Sequence, residues 1–156
     1  MIHARRPAIV AMRFAVALGV AAVQPPPSDL LALVARTRVE GTIAAWCRGE
    51  FRRGRPHAFA AALTVPAGGG RYVILDVDGT VEELGTFARA ADLSCYTRVE
   101  ATKLDATIRR SDTIHGHVAP RWNTTVVCGF TDDTTAVCWQ YSPADRAFVT
   151  VGGWVT

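Results

Sequence analysis

The sequence lacks the features of several large protein classes. It has no low-complexity segment, no internal repeat and no series of long apolar runs. With 49% hydrophobic and 20% charged residues, it is neither a disordered tail, nor a collagen-like rod, nor a multi-span membrane protein. Its 156 residues are enough for one domain and tight for two.

Net charge is also absent beyond residue 22. The first 22 residues hold Arg5, Arg6, Arg13 and no acidic residue, so 14 of the 17 basic residues remain against 14 acidic ones. A neutral body does not collect polyanions, and we expect no nucleic-acid partner. One local basic cluster is predicted to be a solvated loop: Arg48, Arg52, Arg53 and Arg55.

Lysine is nearly absent as well. Lys103 is the only lysine beside 16 arginines, and alanine and valine are abundant. We interpret this usage as codon bias in a GC-rich bacterial genome rather than as a demand for bidentate arginine contacts.

The N-terminal segment is typical of an export signal. Arg5 and Arg6 precede an apolar run over 7–23 that only Arg13 interrupts, and small residues at 20–22 suit a cleavage site. We predict a signal peptide over 1–22, a proline-rich spacer over 23–27 and one globular domain over 28–156. A start at Met12, or a cytosolic protein with a misassigned N-terminus, is the alternative. Export predicts a secreted or periplasmic protein with no stable membrane span after leader cleavage.

The four cysteines lie after the leader, at positions 47, 95, 128 and 138. Their even number in an exported chain predicts two disulfides. A hairpin centred on Asp133 would place Cys128 opposite Cys138, close enough to bridge. The pair Cys47–Cys95 then follows by elimination. No gap has the short spacing of a structural zinc site, whereas four free thiols in a cytosolic protein remain an alternative.

Hydrophobic periodicity predicts a mostly β (α+β) fold. Ser28 is the predicted N-cap of a short helix that ends before Arg38, and Thr97 with Glu100 forms a capping box for a helix over 98–110. Seven strands are expected, forming an antiparallel sheet or sandwich with one or two short helices. They cover 39–47, 59–65, 71–77, 80–84, 122–130, 135–141 and 147–155. The alternation places Val39, Ile43, Ala45 and Cys47 on one side of the first strand, and Phe59, Ala61, Leu63 and Val65 on one face of the second.

Residues 73–81 read V-I-L-D-V-D-G-T-V. This segment resembles motif I of the haloacid dehalogenase superfamily. The resemblance implies a phosphatase in which Asp76 attacks a phosphoryl group and Asp78 is the general acid/base, with magnesium screening the charges. It also implies strands and helices that alternate around a parallel sheet.

The same residues suit a β-hairpin, because Asp78-Gly79 is a favoured turn sequence between two strands. Members of the family need a Ser or Thr, then a lysine, then an acidic pair, in that order and well separated along the chain. We prefer the hairpin, because the only lysine, Lys103, follows too closely after Ser94 and Thr97 to meet this order.

The segment His115-Gly116-His117 is a second candidate site. In an extended strand, residues i and i+2 point to the same side, so both imidazoles could bind one metal ion, which His57 or Asp112 could complete.

No complete catalytic constellation is present. We therefore predict a non-enzymatic binding or interaction module with no cofactor, whose partner is a protein or a small molecule. The first residues to test for binding are His115, His117, Arg121 and Trp122. The alternative is a hydrolase that uses Asp76 and Asp78, or a metal-dependent enzyme that uses the two histidines.

Overall fold

A computed structural model describes residues 24–89 and 92–156. Within these residues the chain forms two α-helices and nine β-strands, and both sheets are antiparallel. The predicted fold class, mostly β with one or two short helices, is confirmed. The elements in chain order are α1 (Ser28–Thr37), β1 (Thr42–Gly49), β2 (Ala58–Thr64), β3 (Gly70–Leu75), β4 (Val81–Phe87), β5 (Leu93–Tyr96), α2 (Arg98–Arg109), β6 (His115–Val118), β7 (Val126–Phe130), β8 (Thr135–Ser142) and β9 (Ala147–Val155).

The strands form two sheets that pack face to face. One sheet has the order β1-β2-β3-β4 and the other β5-β7-β8-β9-β6. Tyr72 and Ile74 of the first sheet share a buried cluster with Val127 and Trp139 of the second. Helix α1 covers the outer face of the first sheet, and α2 covers the outer face of the second. The described chain is therefore a four-layer sandwich with helices outside and sheets inside.

Strand β2 shows why the sequence can support four layers. Ala58, Ala60 and Ala62 face the second sheet, and the alternate residues Phe59, Ala61 and Leu63 face helix α1. The predicted shared face is confirmed for Phe59, Ala61 and Leu63, whereas Val65 lies beyond the end of β2 and is 37% exposed. The small alanines allow the two sheets to approach, while the larger residues fill the space beneath the helix.

Strand β1 departs from the predicted alternation. The sequence analysis placed Ile43, Ala45 and Cys47 on one side, but a β-bulge shifts the register between Ile43 and Ala45. As a result, Ile43 packs with α1 and Ala45 packs between the sheets. That part of the prediction is wrong, because one extra residue reverses the side to which every later side chain points.

Two strands were missed in the sequence. Both β5 and β6 are four residues long. A segment this short holds only two alternations, too few for period 2 to stand out.

The helix ends agree closely with the sequence. The Thr97 hydroxyl accepts a hydrogen bond from the Glu100 N–H at 3.2 Å, and the Glu100 carboxylate accepts one from the Thr97 N–H at 2.8 Å. This capping box starts α2 at Arg98 as predicted. Helix α1 starts one residue earlier than expected, with Pro27 rather than Ser28 at the N-cap, and it ends before Arg38 as predicted.

Both predicted disulfides are present. Cys128 and Cys138 are paired in the β7–β8 register, with Cα atoms 4.1 Å apart. Cys47 of β1 and Cys95 of β5 are bonded with Cα atoms 6.0 Å apart, so this bridge joins the two sheets. No free cysteine remains.

The predicted signal peptide over 1–22 lies outside the described residues. Within the spacer, residues 24–27 have no regular secondary structure, and the Gln24 carbonyl accepts a hydrogen bond from the Trp46 indole at 3.2 Å. Over the described ranges, neither helix has the length and apolar character needed to cross a bilayer.

Candidate binding site

The D-V-D-G-T segment forms the turn between β3 and β4. The Asp76 N–H donates to the Thr80 carbonyl at 3.0 Å, and the Gly79 N–H donates to the Asp76 carbonyl at 2.9 Å. Gly79 has a φ of 89°, a conformation that favours glycine. The hairpin prediction is confirmed, with a three-residue connection in place of the expected two.

Asp78 stabilises this turn with its side chain. Its Oδ1 accepts a hydrogen bond from the Thr80 N–H at 2.9 Å. This backbone hydrogen bond, helped by the Thr80 hydroxyl and the Arg55 charge, lowers the pKa of Asp78. The carboxylate is therefore ionised at neutral pH, and it lines a cavity.

Asp76 has a different environment, because it is buried with 1% of its surface exposed. Its Oδ2 accepts hydrogen bonds from Arg52 and from Arg55, the latter at 3.2 Å. Its Oδ1 is buried without a hydrogen-bond partner. Two guanidinium groups therefore supply the positive charge that a buried carboxylate requires.

Arg52 connects this carboxylate to the second sheet. It also donates to Glu82 of β4, whose other oxygen accepts a hydrogen bond from the Phe148 N–H at 3.2 Å. The Arg52 guanidinium carbon lies 4.7 Å from the ring centre of Tyr141 and 5.4 Å from that of Phe148. The predicted solvated loop is wrong for Arg52, whose side chain is only 13% exposed.

These contacts bear on the phosphatase resemblance. The implied parallel sheet with alternating helices is not the observed fold, since every strand pairing in the described chain is antiparallel. The role implied for Asp76 requires a carboxylate that can reach a phosphoryl group. Here that carboxylate is buried and bound by two arginines.

Two adjoining cavities lie along this turn and share His57 and Val77. The first, of about 260 Å³, is lined by the β1–β2 loop and the turn residues Asp76 and Asp78. The second, of about 340 Å³, lies beside helix α1 and is called the α1 groove below. Its apolar lining consists of Ala32, Leu33, Phe59 and Val77. Its polar lining consists of Asp29, Arg36, Arg48 and His57.

The charged groups of the α1 groove are fixed by contacts. Arg48 forms an ion pair with Asp29 at 2.8 Å, and its guanidinium carbon lies 4.7 Å from the ring centre of Phe59. Arg36 donates a hydrogen bond to the Val77 carbonyl at 2.6 Å. The groove thus combines an apolar floor with two oriented guanidinium groups.

The four residues predicted to bind lie apart from both cavities. His115 and His117 are exposed on β6, an edge strand, and Arg121 and Trp122 follow in the next segment. None of them lines either cavity. Within residues 24–89 and 92–156, no group of three or more His, Cys, Asp or Glu side chains is arranged to hold a metal ion. Binding at these four residues stays a prediction.

The segment that carries Arg121 and Trp122 is held by a residue that the sequence analysis did not single out. Gln140 is fully buried, and its Oε1 accepts hydrogen bonds from the Arg121 N–H at 2.8 Å and the Trp122 N–H at 3.3 Å. Its Nε2 donates to the carbonyls of Trp122 and Thr124 at 2.8 and 3.0 Å. One amide side chain therefore satisfies four backbone groups of the segment.

Sequence reasoning also missed the α1 groove. Its residues come from α1, β1, the β1–β2 loop, β2 and the β3–β4 turn, so no single motif contains them. Of the arginine cluster at 48–55, only Arg48 lines this groove.

The comparisons with known proteins gave no match: no family model, no curated protein and no solved structure is similar to this chain.

Proposed function

We propose that this chain is an exported, non-enzymatic binding module that holds a small ligand in the α1 groove. The observation that carries the proposal is the groove itself, a cavity of about 340 Å³ with an apolar floor and oriented charged groups. Small-molecule sites combine an apolar lining with a few placed polar groups and have a volume of roughly 300–1,000 Å³. The groove is built on a helix and two strands, which hold its lining residues in place.

Export is supported by the leader-like segment and by the disulfides. Two bonds that use all four cysteines suit an oxidising compartment. The test is the intact mass of the chain, expressed with its own N-terminus in a disulfide-competent bacterial host. We expect loss of about the first 22 residues and four cysteines that resist alkylation. An uncleaved chain with four reactive thiols would contradict export.

The binding proposal can be tested with three six-carbon probes: hexanoate, hexanol and hexylamine. Each is titrated into the ¹⁵N-labelled chain while amide chemical shifts are recorded. We expect at least one probe to shift amides of the α1 groove. Ala32→Trp should abolish these shifts, because Ala32 is exposed and lines the groove. Ala106→Trp is the matched control, since Ala106 is an exposed alanine on α2. No shift with any probe, or equal shifts in Ala32→Trp, would contradict the proposal.

The rival enzymatic function has a direct assay. A magnesium-dependent phosphatase would hydrolyse p-nitrophenyl phosphate, and Asp76→Asn would abolish that activity. We expect no hydrolysis by the wild-type chain, because the Asp76 carboxylate is buried and bound by Arg52 and Arg55. Activity that disappears in Asp76→Asn would overturn the proposal of a binding module.

A further inference from the structure

The α1 groove contains one positive charge without an acidic partner. Among its lining residues, Arg48 is paired with Asp29 at 2.8 Å. No carboxylate of the described residues lies within ion-pair distance of Arg36. With His57 counted as neutral, the lining carries a formal charge of +1, from two arginines and one aspartate.

The position of Arg36 is nevertheless fixed. Its Nη2 donates to the carbonyl of Val77, across the groove from α1, at 2.6 Å. A guanidinium has five N–H donors, and among residues 24–89 and 92–156 Arg36 uses them in this one hydrogen bond, so further donors can reach a ligand. A backbone carbonyl orients the group without neutralising its charge. Arg36 is thus prepared to bind an anion.

The rest of the lining is apolar and of limited size. Val77, 59% exposed, and the exposed Ala32 supply its accessible apolar surface, while Leu33 and Phe59 lie almost fully buried beneath them. A volume of about 340 Å³ is large enough for a small molecule with a short apolar chain. A hydrated ion such as phosphate would leave Val77 and Ala32 in contact with water, whereas an apolar chain would cover them.

We propose that the ligand of the α1 groove is a small organic monocarboxylate, with its carboxylate bound by Arg36 and its apolar chain lying on Val77 and Ala32, next to Leu33. This inference rests on the proposed function and specifies its ligand class. A single uncompensated charge suits a monoanion, whereas a dianion would bring one negative charge too many. The planar guanidinium also matches the geometry of a carboxylate.

The test compares the affinities of the same probes, measured by NMR titration at low salt. We expect hexanoate to bind more tightly than hexanol, hexylamine and inorganic phosphate. Arg36→Gln should weaken hexanoate about fivefold, because an exposed charge pair contributes less than a buried one. Arg36→Lys should restore part of the loss, and Arg36→Glu should reverse the order so that hexylamine binds more tightly than hexanoate.

Arg53→Gln is the matched control, since Arg53 is exposed and lines neither cavity. It should leave the affinity for hexanoate unchanged. Equal affinities for hexanol and hexanoate, or equal losses in the two arginine variants, would overturn the carboxylate assignment. If the carboxylate assignment fails but Ala32→Trp still abolishes binding of the probes, the proposed function remains supported. If no probe binds in the groove, both proposals fail.

Discussion

Arg52 lies in the loop between β1 and β2, but its side chain is only 13% exposed. Loss of its guanidinium group should lower the stability of the fold markedly. This group donates to Asp76 in the β3–β4 turn and to Glu82 in β4, and it lies over the ring of Tyr141 in the second sheet. Arg52→Met keeps a long side chain and removes the charge. Asp76, 1% exposed, would then retain only Arg55, whose side chain is 47% exposed.

The expected loss follows from these contacts. Removing one partner of a buried ion pair costs about 3–5 kcal/mol. Arg55 remains 3.2 Å from Asp76 and offsets part of this penalty, while the lost contact with Tyr141 adds roughly 0.5–1 kcal/mol. We therefore expect the free energy of unfolding to fall by about 3 kcal/mol.

The assay is urea denaturation followed by tryptophan fluorescence. The matched control is Arg53→Met, because Arg53 is the next residue and is exposed; it should change stability by less than about 0.5 kcal/mol. The double variant Arg52→Met/Asp76→Leu should recover much of the loss, since no unpaired charge would remain buried. Equal stabilities of Arg52→Met and Arg53→Met would contradict this expectation and would support the prediction that Arg52 lies in a solvated loop.

Three further predictions concern parts of the fold outside the α1 groove and the cavity beside it. The double variant Cys47→Ala/Cys95→Ala should lose about 4 kcal/mol by the loop-entropy relation, because the bond spans 48 residues; loss below about 1 kcal/mol in urea denaturation would contradict this. Gln140→Leu should cost about 2–4 kcal/mol and speed hydrogen exchange over 119–125, because buried backbone groups lose their partners; unchanged exchange would exclude that role. Burial raises the pKa of Tyr72 and of Tyr96, so the folded state holds these protons more tightly and the free energy of unfolding should fall as pH rises above about 10. Tyr72→Phe should make that fall less steep, and an unchanged slope would show that Tyr72 does not contribute.

The predictable parts of the fold are those set by neighbours in the sequence. The pairing of Cys128 with Cys138 followed from a short hairpin whose centre could be read from its turn residues. The start of α2 followed from a capping box formed by residues three apart. Such local geometry leaves few alternatives, and the structure agrees with it.

The remaining features depend on contacts between distant segments. The bulge in β1 has no sequence signal, although it changes which layer Ile43 faces. Arg52 is buried only because the β3–β4 turn and strands β8 and β9 surround it, while its neighbour Arg53 stays exposed. The α1 groove forms from five separate segments, so periodicity could not reveal it.

The most direct test of ligand binding in the α1 groove is an isotope-filtered NOE experiment on the ¹³C-labelled chain with unlabelled hexanoate. We expect NOEs from the hexanoate methylene protons to the methyl groups of Val77 and Leu33. Val99 and Val155 are internal controls, because they are 64% and 47% exposed against 59% for Val77 and lie elsewhere on the surface. NOEs to all three valines alike, or to the two controls alone, would show that hexanoate does not select the groove.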